Sequence, residues 1–284
     1  MDANRQRCPV FFDLAQTLDC GQAFRWVELT REGEHCLWEG AAFGKVLRLE
    51  QQGEQVWFLC SREDLETTWR EYFDLGEDYE QKRAQLSAMS PALKEAAAFA
   101  PGIRILRQEP WEALCSFIIS QNNHIPRIKG IIQRLCDGFG EAVDGTDWHA
   151  FPTPQTLASR TLEDLAPLRA GFRAKYLLDA ARKVASGQVD LELVSRAPVE
   201  VGRQELQKIF GVGPKVAECA LLYGFHKTGC FPMDVWMKRA MATLLPGRSP
   251  QEFGENAGLA QQYLFHYSRL HPELFGEKEK PQSA

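Results

Sequence analysis

The stretch Leu206-Gln-Lys-Ile-Phe-Gly-Val-Gly-Pro-Lys-Val-Ala-Glu-Cys-Ala-Leu-Leu-Tyr-Gly-Phe225 predicts two helices joined by a glycine turn. The first helix is indicated by apolar i, i+3, i+4 spacing at Leu206, Ile209 and Phe210. Gly211 can end that helix in the left-handed conformation, and Pro214 suits the first position of the second helix. Free N–H groups at a helix N-terminus, surrounded by small residues, form an anion site.

This pattern is typical of the helix-hairpin-helix motif, in which a turn such as Gly211, Val212 and Gly213 binds a DNA phosphate. A bare G-x-G turn is equally typical of an ordinary helical hairpin. Two further residues favour the first interpretation. Lys215 stands in the first turn of the second helix, and Asp234 follows in Pro232-Met-Asp-Val-Trp236. Together these features resemble the helix-hairpin-helix DNA glycosylases that also cleave the backbone.

Lys215 and Asp234 are the predicted catalytic residues. Most lysines are solvated surface charges, but the positive end of a helix dipole favours the neutral amine that a nucleophile needs. The amine would attack the sugar C1′ of a damaged nucleotide, form a Schiff base, and cut the strand by β-elimination. Asp234 is predicted to cap the next helix, and its carboxylate would stabilise cationic charge on the sugar or help to deprotonate Lys215.

Six segments, in order over nearly the whole chain, resemble motifs of the 8-oxoguanine DNA glycosylases of the HhH-GPD superfamily. They are Gly21-Gln-Ala-Phe-Arg-Trp26, Ser120-Gln-Asn-Asn-His-Ile-Pro-Arg127, Ala170-Gly-Phe-Arg-Ala-Lys-Tyr176, Lys215-Val-Ala-Glu-Cys219, Pro232-Met-Asp-Val235 and Ala260-Gln-Gln-Tyr-Leu-Phe265. Six ordered matches are far more specific than any one of them. The resemblance therefore predicts a bifunctional enzyme of base excision repair, with DNA glycosylase and apurinic/apyrimidinic lyase activity.

The resemblance implies a pocket for a damaged base that is flipped out of the helix. The Gly21 carbonyl would accept a hydrogen bond from the N7–H that 8-oxoguanine has and guanine lacks. Gln261 would read the Watson–Crick edge, while Phe265 and Cys219 would pack against the two faces of the base. Without the resemblance, Phe265 is interpreted as a core residue and Cys219 has no assigned role.

The resemblance also implies contacts with the opposite strand. Asn122, Arg127 and Arg173 would meet the unpaired cytosine, whose edge exposes both donors and acceptors. Phe172 would be the wedge, in place of the tyrosine that the family usually has. Trp236 stands where the animal enzymes carry a phosphate-binding histidine. These departures bear on the strictness of the preference for cytosine and not on the chemistry.

The rest of the chain predicts an α+β fold, with an N-terminal antiparallel β-sheet domain followed by an all-helical body that contains the hairpin. Strands are indicated by near-alternating or apolar patterns at Phe24–Leu29, Lys45–Glu50 and Gln55–Cys60. Beyond about residue 80 the apolar spacing is helical. We expect a sheet domain with flanking helices over residues 1–105, a helical catalytic body over 106–276 and a disordered tail over 277–284.

The charges of the 284-residue chain are unevenly distributed, with a net charge of −5. Residues 1–100 carry 18 acidic and 11 basic side chains, whereas residues 101–240 carry 15 acidic and 18 basic ones. A mildly basic middle permits contact with phosphates but does not by itself predict it.

The cysteine content and the lengths of the apolar runs limit the cellular compartments that the sequence suggests. Eight scattered cysteines without a C-x-x-C motif indicate buried free thiols and argue against an iron–sulfur cluster. No apolar run is long enough to span a membrane, and the N-terminus lacks the apolar region of a signal peptide. We expect a cytoplasmic, bacterial-type monomer that associates with the nucleoid when acting and needs no cofactor or metal, although the hairpin is a candidate site for a monovalent cation.

Two alternatives stay open at this point. The chain could be a non-catalytic helix-hairpin-helix protein that only binds DNA, but the presence of Lys215, Asp234, Gln261 and Phe265 argues against this. It could also be a monofunctional alkylbase DNA glycosylase. Those enzymes use water and keep only the aspartate, so Lys215 argues against that alternative too.

Overall fold

The computed structural model describes residues 4–275, which begin with a five-stranded antiparallel sheet. Its spatial order is β1-β5-β4-β3-β2. The strands are β1 (Arg5–Arg7), β2 (Trp26–Glu32), β3 (His35–Ala42), β4 (Lys45–Gln52) and β5 (Gln55–Leu59). The predicted antiparallel sheet is confirmed, and β1 and β3 add to the three strands that the sequence pattern indicated.

Strand β3 packs closely against the core and against strand β2. Cys36 and Trp38 alternate with less buried neighbours, so one face of β3 points to the core. Gly40 pairs with Trp26 of β2, and a Cβ atom at Gly40 would lie 2.3 Å from the Trp26 ring. Glycine is therefore needed for the indole of Trp26 to lie across the strand.

Helices form the remainder of the fold, and α2 and α3 are joined by a π-helical segment at Leu65–Trp69. Several helices have a proline in the first turn, where the missing N–H costs no intrahelical hydrogen bond. Within residues 4–275 the α-helices are α1 (Leu14–Leu18), α2 (Arg62–Asp64), α3 (Arg70–Tyr72), α4 (Tyr79–Met89), α5 (Pro91–Phe99), α6 (Pro110–Ser120), α7 (Ile125–Phe139), α8 (Pro154–Ala158), α9 (Arg173–Ala185), α10 (Leu191–Arg196), α11 (Val199–Leu206), α12 (Pro214–Tyr223), α13 (Val235–Leu244) and α14 (Ala257–Leu270). The predicted helical body is confirmed.

Two hydrophobic cores divide the buried side chains. The smaller core packs one face of the sheet against Trp69 and Phe73, whose rings lie 6.3 Å and 5.7 Å from that of Trp26. The larger core surrounds α6, which is buried from Trp111 to Ile119 and contacts α7, α9 and α12. Helices α4 and α5 also contribute to the larger core. The boundary between the sheet domain (1–105) and the helical catalytic body (106–276) stays a prediction.

The eight cysteines are free thiols, with Cys60 half-buried and the others buried. This confirms the predicted buried free thiols. The tail predicted for residues 277–284 lies outside the described residues. Across residues 4–275, none of the helices combines the length and the apolar character needed to cross a membrane.

Candidate active site and DNA-contact surface

The hairpin turn begins earlier than the apolar spacing predicted. Helix α11 ends at Leu206, and the segment to Phe210 is made of reverse turns, with Ile209 N–H donating to the Leu206 carbonyl at 3.1 Å. The prediction that the first helix continues to Phe210 was wrong. Phe210 is instead 56% exposed, because the turn directs it outward while Ile209 remains in the core.

Gly211 and Gly213 serve different purposes in this turn. Gly211 has a φ of +82°, and a Cβ atom there would lie 2.4 Å from the ring of Tyr176. Gly213 is extended and would place a Cβ atom in open space. It precedes Pro214, and across residues 4–275 no side chain caps this end of α12. Backbone N–H groups are thus presented at an open helix N-terminus, which is the geometry that binds a phosphate.

Lys215 lies half-buried in the first turn of α12. Its Nζ atom is 5.7 Å from the centre of the Phe117 ring, and Cys219 lies one turn further along the same helix. Burial raises the pKa of Cys219 to about 11, although the Lys215 charge acts in the opposite direction. Cys219 therefore offers a neutral, polarizable surface next to the lysine.

Asp234 is the N-cap of α13, as predicted, and its Oδ1 accepts a hydrogen bond from the Met237 N–H at 2.7 Å. The loop before it is tied to α12. Glu218, one turn from Lys215, accepts a hydrogen bond from the Phe231 N–H at 3.1 Å and another from Arg203 Nε at 2.8 Å. A single half-buried carboxylate therefore links both hairpin helices to the loop that delivers Asp234.

The residues predicted to bind the damaged base come together near α12. A Cβ atom built on Gly21 would lie 3.5 Å from Phe265 Cε1, and Gly21 has a φ of +88° that favours glycine. Gln261 is buried on α14, one turn before Phe265. The Tyr223 hydroxyl at the end of α12 lies 3.3 Å from Gln261 Oε1. Tyr223 was not among the predicted site residues.

The residues predicted to face the opposite strand form a second group. Asn122 is exposed with a φ of +48°, and exposed Arg127 donates to the Arg169 carbonyl at 3.3 Å. Arg173 is buried, and its guanidinium donates to the Asn122 carbonyl at 2.7 Å and to the Ala170 carbonyl at 3.2 Å. The loop before α7 is therefore fastened to the N-terminus of α9.

A row of aromatic rings connects this second group with the hairpin. Tyr176 lies between Phe172 and Phe210, with ring centres 5.6 Å and 5.1 Å away and an edge-to-face contact on each side. The Lys175 ammonium lies 5.5 Å from the Phe210 ring centre. Sequence reasoning identified only Phe172 here, since the outward orientation of Phe210 depends on the turn geometry.

Trp236 is engaged within the protein. Its Nε1–H donates to Ser268 Oγ at 2.9 Å, and its ring meets Phe275 at 4.9 Å between centres. The indole therefore joins α13 to α14 and brings no charge to the surface.

Comparisons with known proteins agree with this arrangement. Residues 6–114 match the family model for the 8-oxoguanine DNA glycosylase N-terminal domain, and residues 115–252 match that for HhH-GPD superfamily base excision DNA repair proteins. The fold and the hairpin thus define a member of the HhH-GPD superfamily.

Individual relatives narrow the assignment. An N-glycosylase/DNA lyase of Saccharomyces cerevisiae is 36% identical over 80% of this chain, which spans 66% of the yeast protein. MBOgg1, solved with a low-affinity DNA ligand, is 39% identical with a TM-score of 0.87, covering 96% of this chain and 98% of its own. The 8-oxoguanine glycosylase/lyase of Clostridium acetobutylicum, solved with DNA containing cytosine opposite 8-oxoguanine, is 39% identical with a TM-score of 0.82, covering 92% of this chain and 93% of its own. The chain belongs to the 8-oxoguanine DNA glycosylase family.

Proposed function

We propose that this protein is a bifunctional DNA glycosylase that excises 8-oxoguanine from double-stranded DNA and then cuts the strand by β-elimination. One observation carries the proposal. Lys215, Cys219 and Tyr223 lie four residues apart along α12, so one helix face runs from the amine to Gln261. The nucleophile and the base pocket are thereby built on one rigid element.

The chemistry assigned to Lys215 is nucleophilic substitution followed by elimination. The amine nitrogen forms a bond to C1′ while the bond from C1′ to the base breaks, and the base leaves with that electron pair and takes up a proton. The sugar ring opens to a protonated Schiff base. Loss of a proton from C2′ then expels the 3′ phosphate and cuts the strand. The Asp234 carboxylate would stabilise the positive charge that develops on the sugar.

Recognition of the base would rely on the pocket beside α14. Base flipping is required, because C1′ and the base edge are hidden inside the stacked duplex. The Gly21 carbonyl would accept the N7–H of 8-oxoguanine, and Gln261 would read the Watson–Crick edge. Phe265 and the neutral thiol of Cys219 would hold the two faces of the base.

The opposite base would be read by the loop before α7. Asn122 and Arg127 are exposed there and can offer hydrogen bonds to cytosine. Arg173 would hold the loop and would reach cytosine by exchanging one of its hydrogen bonds to backbone carbonyls. Phe172, 45% exposed, would fill the gap left by the flipped base. The cytosine in the Clostridium acetobutylicum complex supports this preference.

The hairpin would anchor the DNA backbone at Gly211, Val212 and Gly213. We propose no cofactor for the reaction, and the monovalent cation at the hairpin stays a prediction. A cytoplasmic location, association with the nucleoid and a monomeric state are likewise predictions.

Single-turnover cleavage of duplexes with 8-oxoguanine opposite each of the four bases tests the proposal, beside a duplex that carries an alkylated adenine. We expect base release and strand cutting to be fastest opposite cytosine. Release of only the alkylated base, without strand cutting, would instead establish the monofunctional alternative. Binding to every duplex without any cleavage would establish a non-catalytic DNA-binding protein.

A further inference from the structure

The backbone on either side of Gly21 is held by two buried glutamine side chains. Gln262 Nε2 donates to the Cys20 carbonyl at 2.9 Å, and Gln108 Nε2 donates to the Gln22 carbonyl at 2.7 Å. Gln262 is 1% exposed and Gln108 is 5% exposed. Because buried carbonyl groups in folded proteins are nearly always hydrogen-bonded, these contacts hold the Cys20–Gly21 and Gln22–Ala23 peptide groups, which lie on either side of the peptide group that carries the Gly21 carbonyl.

The orientation of the Gln262 amide is set by Tyr223. The Tyr223 hydroxyl lies 2.6 Å from Gln262 Oε1 and 3.3 Å from Gln261 Oε1. A hydroxyl has one proton to donate, so the shorter contact takes it. With Oε1 occupied as an acceptor, Nε2 of Gln262 must face Cys20. The Tyr223 ring is itself held, because it stacks on Phe117 with ring centres 5.2 Å apart and an angle of 19° between the planes.

We infer that Gln262 and Tyr223 are positioning residues for the Gly21 carbonyl, and this inference rests on the proposed function. Gly21 has a φ of +88°, and glycine can leave that conformation more readily than any other residue. The Cys20 carbonyl would lose its partner if Gln262 could no longer donate, and the Gly21 peptide would then be free to rotate. A hydrogen bond to N7–H requires the acceptor within a few tenths of an ångström of its place.

The helix α14 thus contributes to recognition from two adjacent positions. Gln261 is the residue that would touch the base, whereas Gln262 acts behind the glycine that would touch it. Gln262 reaches residue Cys20, which is 242 positions away in the chain. Discrimination between 8-oxoguanine and guanine therefore depends on a side chain that contacts neither.

The test compares two reactions of the same protein. One is excision of 8-oxoguanine opposite cytosine, and the other is cutting at a preformed abasic site opposite cytosine, which offers no base to read. In Gln262→Met we expect excision to fall roughly 10- to 100-fold, as for a reacting group displaced by about 1 Å, while abasic-site cutting stays close to wild type. Gln262→Glu keeps the acceptor for Tyr223 but cannot donate to Cys20, so we expect the same selective loss. Tyr223→Phe should show it more weakly.

Tyr263→Phe is the matched control. Tyr263 is a fully buried neighbour on α14, and its hydroxyl has no hydrogen-bond partner among residues 4–275. Both reactions should therefore keep wild-type rates in this variant. An equal fall of both rates in Gln262→Met would overturn the inference, as would unchanged excision in Gln262→Glu. A wild-type protein that lacks excision and abasic-site cutting alike would instead refute the proposed function.

Discussion

The proposed pocket for the damaged base and the proposed surface for the opposite strand differ in how far their side chains are buried within the protein. Cys219 and Gln261 are 3% and 6% exposed, and Gln261 Oε1 lies 3.3 Å from the Tyr223 hydroxyl. Phe172 is 45% exposed, and Asn122 and Arg127 are exposed beside it. The first region is largely formed by the protein itself, whereas we expect the second to be completed by the duplex.

The two regions should therefore respond differently to amino-acid substitution. A change in the pocket alters chemistry or folding stability, because its residues are packed and paired. We expect a change at the exposed Phe172, Asn122 or Arg127 to alter DNA handling and to leave the free energy of unfolding nearly unchanged. The hairpin joins the two regions. Its second helix, α12, carries Cys219, and Gly211 before that helix packs on Tyr176, which contacts Phe172.

The largest effect is expected for Lys215→Gln. Removal of the nucleophile should lower base release and strand cutting by at least about a thousandfold, whereas duplex affinity should be retained. Lys175→Gln removes an exposed cation from the aromatic row and is the matched control. It should keep the rate of the chemical step. Single-turnover kinetics at saturating enzyme measure the chemical step in both variants. Near-normal excision by Lys215→Gln would contradict the assignment of Lys215 as the nucleophile.

The two hairpin glycines should separate stability from DNA binding. Gly211→Ala places a Cβ atom against the Tyr176 ring in a left-handed conformation, so we expect a loss of about 3 kcal/mol in the free energy of unfolding. Gly213→Glu points into open space and should leave stability within about 0.5 kcal/mol.

The same Gly213→Glu variant should weaken binding to all duplexes alike, because a negative side chain stands where the phosphate would bind. Thermal unfolding and duplex titrations at one salt concentration measure both quantities. A change in damage preference alone would mean that the hairpin is not the backbone anchor.

His266, which follows Phe265 on α14, should make the folded state sensitive to acid. Burial, and to a lesser degree Arg269, lower the pKa of His266 to about 4, below its value in the unfolded chain. The neutral ring is therefore favoured by folding. This preference contributes roughly 3 kcal/mol to the free energy of unfolding above about pH 6.5, and the contribution is lost as the pH falls towards 4.

His266→Asn should flatten this part of the pH dependence of the free energy of unfolding, measured by denaturant titration between pH 4 and 8. Equal slopes for the wild type and His266→Asn would show that burial of this ring does not favour its neutral form.

The smallest effect on the folded protein is expected for Phe172→Ala. Its ring is half exposed, so stability should change little, but excision from a fully paired duplex should fall about tenfold without the wedge. The loss should shrink when the lesion is mispaired, since flipping then costs less. Phe172→Tyr should excise at the wild-type rate. A large drop in melting temperature for Phe172→Ala would show that the residue serves the fold instead.

What could be predicted from the sequence depended largely on how far apart in the chain the interacting residues lie. The cap at Asp234 and the open N-terminus at Pro214 depend on neighbours along the chain, and local patterns predicted both. The end of α11 at Leu206 was missed, because apolar spacing continues through a turn that is held by short backbone hydrogen bonds.

Gln262 could not be identified from the sequence. It is adjacent to Gln261 and has the same side chain, and only the distant Cys20 carbonyl and the Tyr223 hydroxyl distinguish its role. The exposed position of Phe210 was hidden for a similar reason, since its spacing resembles that of a core residue.

Borohydride trapping tests the central claim, that the preorganised pocket delivers Lys215 to the sugar. Wild-type protein is mixed with an 8-oxoguanine–cytosine duplex, reduced, and digested to locate the nucleotide-bearing peptide. We expect a covalent adduct on Lys215, and no adduct in Lys215→Gln although that variant still binds the duplex. An adduct of undiminished yield in Lys215→Gln, or one mapped to another amine in the wild type, would contradict the account.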